Sequence, residues 1–144
     1  MGSSKWPLTV DVDEDWYFKP DAGLLMGSPA DETPVEPHDA FADEMDIALG
    51  ADRIQTSSTL EIVSIRHRWA GLRSFVADKT PVAGFDPGQE GFFWLCGQGG
   101  YGIQTAPGLG ATAAALIDGA EVPEHVRRLG LKAADLAADR PTLR

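Results

Sequence analysis

Residues Gly91–Gly110 read GFFWLCGQGGYGIQTAPGLG. An apolar run, a literal G-x-G-x-x-G at Gly97–Gly102 and an alanine-rich stretch follow one another, and this order of strand, glycine loop and helix decides the fold class. A dinucleotide fingerprint makes three demands: its glycines close a first strand, open a helix, and lead to a second parallel strand bearing an acid about 20 residues on. The first two are met. The third is not, because Asp118 ends the helix in LIDGAE and nothing after it reads as a βαβ return. Yet glycines at 97, 99, 100 and 102 exceed what a turn requires, so something approaches this backbone closely. A strand feeding such a loop and then a helix offers unhindered amides and about half an elementary positive charge, suited to an anionic or electron-rich oxygen. A tight connection that packs only against protein is the other reading, and the glycines alone leave both open.

Upstream of this stretch, Pro81–Phe85 and Gly91–Cys96 read as two strands divided by the turn DPGQE. Phe92–Leu95 is apolar without alternation, the mark of a strand covered on both faces in a parallel or mixed sheet. Downstream, Pro107–Ile117 (PGLGATAAALI) predicts a helix opened by Pro107 and stopped by Gly119, followed by a short helix around Glu124–Leu129 and polar turns. Nearer the N-terminus, Leu8–Val12, Asp15–Lys19 and Gly23–Gly27 are β-prone runs separated by DED and PDAG, which suits an antiparallel meander. Pro29–Pro37 (PADETPVEP) reads as an extended surface connector. Phe41, Met45, Ala48 and Leu49 recur at helical spacing behind Asp43, Glu44 and Asp46, predicting a helix over 41–57 that Gly50 weakens. Leu60–Leu72 (LEIVSIRHRWAGL) alternates and predicts a strand with one buried face. The expected class is α+β: a mixed, largely antiparallel sheet with a covering helix, plus a terminal strand, glycine loop and helix that would complete a neighbouring domain.

Composition bounds the function. The 144 residues, 43% apolar and 24% charged, make a single domain able to build a core. The net charge of −10 is lopsided: residues 1–60 hold 13 acids against 3 bases, and residues 61–144 hold 9 of each. An acidic surface repels phosphate backbones and anionic lipid, which argues against nucleic-acid and membrane partners and suits a solvated face. Cys96 stands alone, so no intramolecular disulfide forms; it is expected to be buried and inert, and cytoplasm is the expected compartment. No apolar run reaches the about 20 residues that span a bilayer, no signal-peptide layout opens the chain, and Met1–Ser4 reads as an expression remnant. His38, His67 and His125 fall on a connector, a strand and a tail without a ligand partner at metal-site spacing, so no metal is expected.

A second constellation is WAGLRSFVADKTPVAGFDP, residues 69–87. Arg73 falls where an apolar strand ends beside Gly71, and a guanidinium is the natural bidentate partner of a carboxylate. A surface ion pair is the plainer use of such a residue.

The phrases WYFKPDAG, WAGLRSFVADKTPVAGF and GFFWLCGQGGYGIQTAPGLGATAAALI occur in that order, over roughly residues 7–130. Together they resemble the C-terminal portion of the FAD-dependent D-amino-acid oxidase and dehydrogenase family, most closely its D-arginine dehydrogenase branch. Glycine oxidases of the same superfamily carry an arginine inside the second glycine loop, where this sequence has Gly100 or Tyr101. The resemblance implies a two-domain enzyme with FAD on an N-terminal domain and an antiparallel sheet over the substrate. By it, residues 7–90 would be the substrate part and 91–144 the flavin-contacting part of a larger flavoenzyme. This chain alone would be inactive and would carry no stoichiometric flavin, its FAD belonging to the parent enzyme, its partners a D-amino acid and the missing FAD-binding domain, with self-association through the exposed face.

The same resemblance implies site roles. Arg73 would hold the substrate carboxylate, with the Tyr17 hydroxyl directed at the same group, both on strands of the substrate-facing sheet, and the Gly71 carbonyl would accept from the substrate amine. Gln98, Gly99, Gly100, Tyr101, Gly102, Ile103 and Gln104 would face the isoalloxazine of FAD. The implied reaction removes the α-hydrogen of a D-amino acid as hydride to flavin N5, giving an imino acid that water hydrolyses to a 2-keto acid. No side chain here is expected to act as a catalytic acid or base. The rival reading is a stand-alone ligand-binding or interaction module without redox activity.

Overall fold

The N-terminal meander forms. In the computed structural model, which describes residues 5–143 and so leaves Met1–Ser4 outside, β1 (Thr9–Val10), β2 (Tyr17–Asp21) and β3 (Leu24–Ser28) build a three-stranded antiparallel sheet in the order β1-β2-β3. Ala22 and Gly23 both take positive φ, 45° and 81°, giving β2 and β3 the tight hairpin that matches strand twist. Pro20 pairs with Leu25 of β3 and lies beyond the two residues that β1 matches, on an edge where a missing amide costs nothing.

The chain forms two compact units, residues 1–72 and 73–144. In the first, α1 (Glu44–Ser57) begins at Asp43, whose carboxylate accepts from the amides of Met45 and Asp46. Gly50 has a packing reason to be there: a Cβ on it would lie 3.2 Å from Pro29, and one on Gly27 would lie 2.8 Å from Ile54 Cδ1. The two glycines let α1 settle on β3 and deliver Ile54 to Trp16 and Phe18, whose rings stack with centroids 5.8 Å apart. Leu60 and Ile62 cover this small core. The strand expected over Leu60–Leu72 does not form: the segment has no ladder and most of it is exposed. Its alternation satisfies the core with two residues, and no strand among the described residues pairs with the rest.

In the second unit, β4 (Val82–Phe85) and β5 (Phe93–Cys96) form an antiparallel hairpin. Asp86 sets the turn: its carboxylate accepts from the Gly88 amide at 2.7 Å and from the Trp94 indole at 2.8 Å. Those bonds, the indole first, hold its pKa below the ordinary carboxylate value. β5 is not covered on both faces as expected. Phe92, Trp94 and Leu95 remain about half exposed, because β5 has β4 as its one partner strand and Cys96 is only half-buried.

The covering helix α2 (Gly102–Ile117) starts five residues before Pro107, which lies inside it and not at its opening. It places Thr112 and Ala113 on β4, where Val82 and Ala83 are buried. Gly119, at φ 72°, ends it as expected, with the Ala120 amide reaching back to the Ala115 carbonyl. α3 (Glu124–Arg127) and α4 (Ala133–Leu136) follow, and α4 packs on β4 where a Cβ at Gly84 would stand 3.4 Å from Ala137 Cα. The fold is α+β, with two small antiparallel sheets and four α-helices among the described residues. Among the described residues no helix is long and apolar enough to cross a membrane.

Candidate functional site

The glycine loop and the segment Arg73–Asp78 lie side by side in the second unit. A Cβ at Gly97, Gly99 or Gly100 would stand 2.8 Å from Val76 Cγ1, 2.6 Å from Phe75 Cε1 and 3.1 Å from Arg73 Nη1, respectively. The Gly99 amide donates to the Ser74 carbonyl at 3.0 Å, joining the two segments by backbone as well. The glycines are therefore required first by protein: Phe75 and Val76 fill the hollow, as the protein-packing reading expects. Gly100 is different in kind, because what it admits is a guanidinium.

Arg73 lies over Phe75, its Cζ 5.2 Å from the ring centroid, and Lys79 Nζ stands 6.0 Å from the same ring. Arg73 is exposed and is not on a strand, contrary to the expectation, since no ladder reaches it. Downstream of Gly100 the chain makes a short 3-10 turn, Gly99–Tyr101, and enters α2 with no side-chain cap and no acid in the first turn. Gln98 packs its Cβ against Gly102, Gln104 is exposed, and Ile103 is 95% exposed at the helix entrance. Arg73 and the glycine loop thus share one surface, a guanidinium beside the loop backbone. Such a surface suits an electron-rich edge or an anion. α2 leads only to α3 and α4 among the described residues, so the parallel return strand of a pyrophosphate site is not built here.

Tyr17 and Gly71 belong to the first unit. Tyr17 opens β2 opposite Ser28 and is half-buried; Gly71 sits in the exposed, unpaired segment, where an added Cβ would meet nothing within 4 Å. A concavity of about 410 Å³ in that unit is lined by Glu44, Ile47, Ile65, Arg66, His67 and Arg68 and holds none of the expected site residues. His67 lies there off any strand, and Arg68 pairs with Glu44 at 2.7 Å.

Sequence reasoning missed what supports the donor surface. Arg140, 6% exposed, donates from Nε and Nη2 to the two carboxylate oxygens of Asp78 at 2.7 and 2.8 Å. Asp78 also accepts from Thr142 Oγ1 and from the Thr80 amide. The Arg140 and Thr142 bonds, in that order, hold the Asp78 carboxyl far below the usual range, and Asp78 raises Arg140 in return. The fork also reaches the Thr80 and Ala137 carbonyls. A polar tail carries no periodicity that would announce this pairing.

Compared with known protein families, the sequence matches FAD dependent oxidoreductase over residues 2–116. With most of its length covered by that match, the chain belongs to the FAD-dependent oxidoreductase family.

Proposed function

We propose that this chain supplies the substrate-binding and flavin-contacting surface of an FAD-dependent enzyme that oxidises D-amino acids, in the manner of the D-arginine dehydrogenase branch. One observation carries the reading: Arg73 Nη1 stands against Gly100, so a cation fork and an amide-lined bend share one surface. FAD, when bound, supplies the hydride-accepting ring that turns the amino acid into an imino acid, which water converts to a 2-keto acid. Arg73 holds the substrate carboxylate as a bidentate partner, with Phe75 beneath the fork. The Gln98–Ile103 backbone, whose Gly99 and Tyr101 amides are already bonded to Ser74 and Gln98, the Gln104 side chain and the positive end of α2 face the ring edge where negative charge collects on reduction. Phe92, Trp94 and Leu95 are about half exposed and Ile103 and Ile117 more so, leaving apolar surface that a covering FAD-binding domain would bury.

Two titrations test it. Riboflavin and FAD should bind the chain with affinities within about threefold of each other, because the contacts proposed are to the ring and not to the pyrophosphate. FAD binding about 100-fold tighter than riboflavin would overturn the assignment of the loop. D-Alanine should shift the Arg73 Nε–H signal, and Arg73→Ala should weaken that binding roughly tenfold, the lower end of the about 1.5–3 kcal/mol of a charge-assisted bond since Arg73 is exposed. No response at tens of millimolar D-alanine refutes the carboxylate role.

A further inference from the structure

Every face of the Arg140 guanidinium is engaged in holding one turn. Its Nε and Nη2 take both oxygens of Asp78, Nη2 also reaches the Thr80 carbonyl at 2.5 Å, and Nη1 reaches the Ala137 carbonyl at 3.2 Å. Thr142 adds its hydroxyl to Asp78 Oδ2. The bonds to Asp78 span 62 to 64 residues of chain, from the tail to the end of the Arg73–Asp78 segment. The turn they fix is closed by the Lys79 amide on the Val76 carbonyl at 2.9 Å, with Lys79 at φ 58°, a conformation a lysine holds only when its surroundings impose it.

Immediately before that turn, Val76, Phe75 and Arg73 stand against Gly97, Gly99 and Gly100 in succession, and Ser74 bonds Gly99. Residues 73–78 are therefore a short splint, seated along its length on the glycine loop and bolted at its far end by the tail. A bidentate carboxylate pair that is nearly buried allows little rotation, so the angle at which the splint leaves Asp78 is fixed by Arg140.

We propose that Arg140, assisted by Thr142, is a positioning residue for Arg73: the C-terminal tail clamps Asp78 and thereby sets the direction in which the Arg73 guanidinium meets its ligand at the glycine loop. The ligand class, a small carboxylate, rests on the function proposed above; the mechanical link from Arg140 to Arg73 does not. Carboxylate recognition by this surface then depends on a tail residue that never touches the carboxylate.

The test compares the chain with its Arg140→Ala, Arg140→Lys and Thr142→Val variants by NMR, using acetate as the probe. The ring-current shift that Phe75 imposes on the Arg73 side chain and the exchange rate of the Gly99 amide report the splint. Acetate titration followed at Arg73 Nε–H reports recognition. Arg140→Ala should abolish most of the ring-current shift, speed Gly99 exchange at least tenfold and weaken acetate binding several-fold. Arg140→Lys should recover little, since an ammonium cannot grip both carboxylate oxygens. Thr142→Val, which removes one donor and leaves Arg140 in place, should move all three readouts in the same direction by less, and it decides the question if Arg140→Ala does not fold. A purely structural role lowers the urea midpoint while leaving the Arg73 shift, the Gly99 exchange and the acetate affinity of the folded variants as they were, and that result overturns the proposal. Failure of the parent chain to bind acetate counts against the carboxylate reading, while the Arg73 and Gly99 signals still decide the clamp.

Discussion

Substituting Gly99 by alanine should be one of the costliest single-methyl additions in the second unit, and its cost divides into two parts that can be measured separately. Gly99 has φ 54°, and the left-handed region costs an alanine about 1–2 kcal/mol. The new Cβ would also sit 2.6 Å from Phe75 Cε1 and 2.9 Å from Cδ1, about 0.8 Å short of ordinary contact. Phe75 has little room to withdraw, because Arg73 lies over its ring and Gly99 is bonded to Ser74 next door. Overpacking of this kind costs about 1–3 kcal/mol. The sum for Gly99→Ala is about 2–5 kcal/mol, read as a lowered urea midpoint by far-ultraviolet circular dichroism. In the double variant Gly99→Ala, Phe75→Ala the steric part disappears and the backbone part stays. The pair should therefore cost about 1–3 kcal/mol less than the sum of the single changes. Additivity within about 0.5 kcal/mol would show that residues 73–78 do not lie on the glycine loop, and both functional proposals would go with it.

The Asp78 carboxyl is held below its unfolded value by Arg140 and Thr142, so its stabilising effect is fully present above about pH 4 and is lost as pH falls below that toward the depressed folded value. The difference in urea midpoint between the parent chain and Asp78→Asn should accordingly be constant near neutrality and shrink between about pH 4.5 and pH 2.5; a difference independent of pH over that range refutes the assignment of the clamp as ionic. In the first unit, Ile54→Ala empties the centre of the Trp16–Phe18 cluster and should cost about 2–5 kcal/mol, followed by Trp16 fluorescence on urea unfolding; a cost below about 1 kcal/mol would mean that α1 is not seated on the sheet.

Much of the fold could be read from short-range chemistry. PDAG gave the β2–β3 hairpin because Ala22 and Gly23 can both turn left-handed, DPGQE gave the β4–β5 connection through Asp86, and Gly119 stops α2 for the same backbone reason. What escaped depends on partners distant in sequence. The alternation in Leu60–Leu72 expresses a preference for one buried face, and a strand needs a second strand to supply its hydrogen bonds; Leu60 and Ile62 bury themselves without one. Pro107 suggested a helix opening because a proline lacks the amide that the first turn leaves unused, yet α2 absorbs it a turn and a half in. At the candidate site, the four glycines announced a close approach, and Arg73 announced an anion partner. That the close approach is made by Phe75 and Val76, and that Arg140 anchors the segment carrying them, could not be read from a polar tail with no pattern to place it.

Pro107 leaves one more mark on the molecule. With no amide hydrogen at 107, the Ile103 carbonyl lacks its ordinary rung four residues on, so the leading turn of α2 is stitched to the body of the helix by fewer bonds than any later turn. Behind that seam, Thr112 and Ala113 keep the shaft docked on β4. The break in the ladder therefore falls in the part of α2 that follows the glycine loop, where the Thr105 hydroxyl, donating to the Tyr101 carbonyl at 2.7 Å, supplies a stitch that the proline withholds.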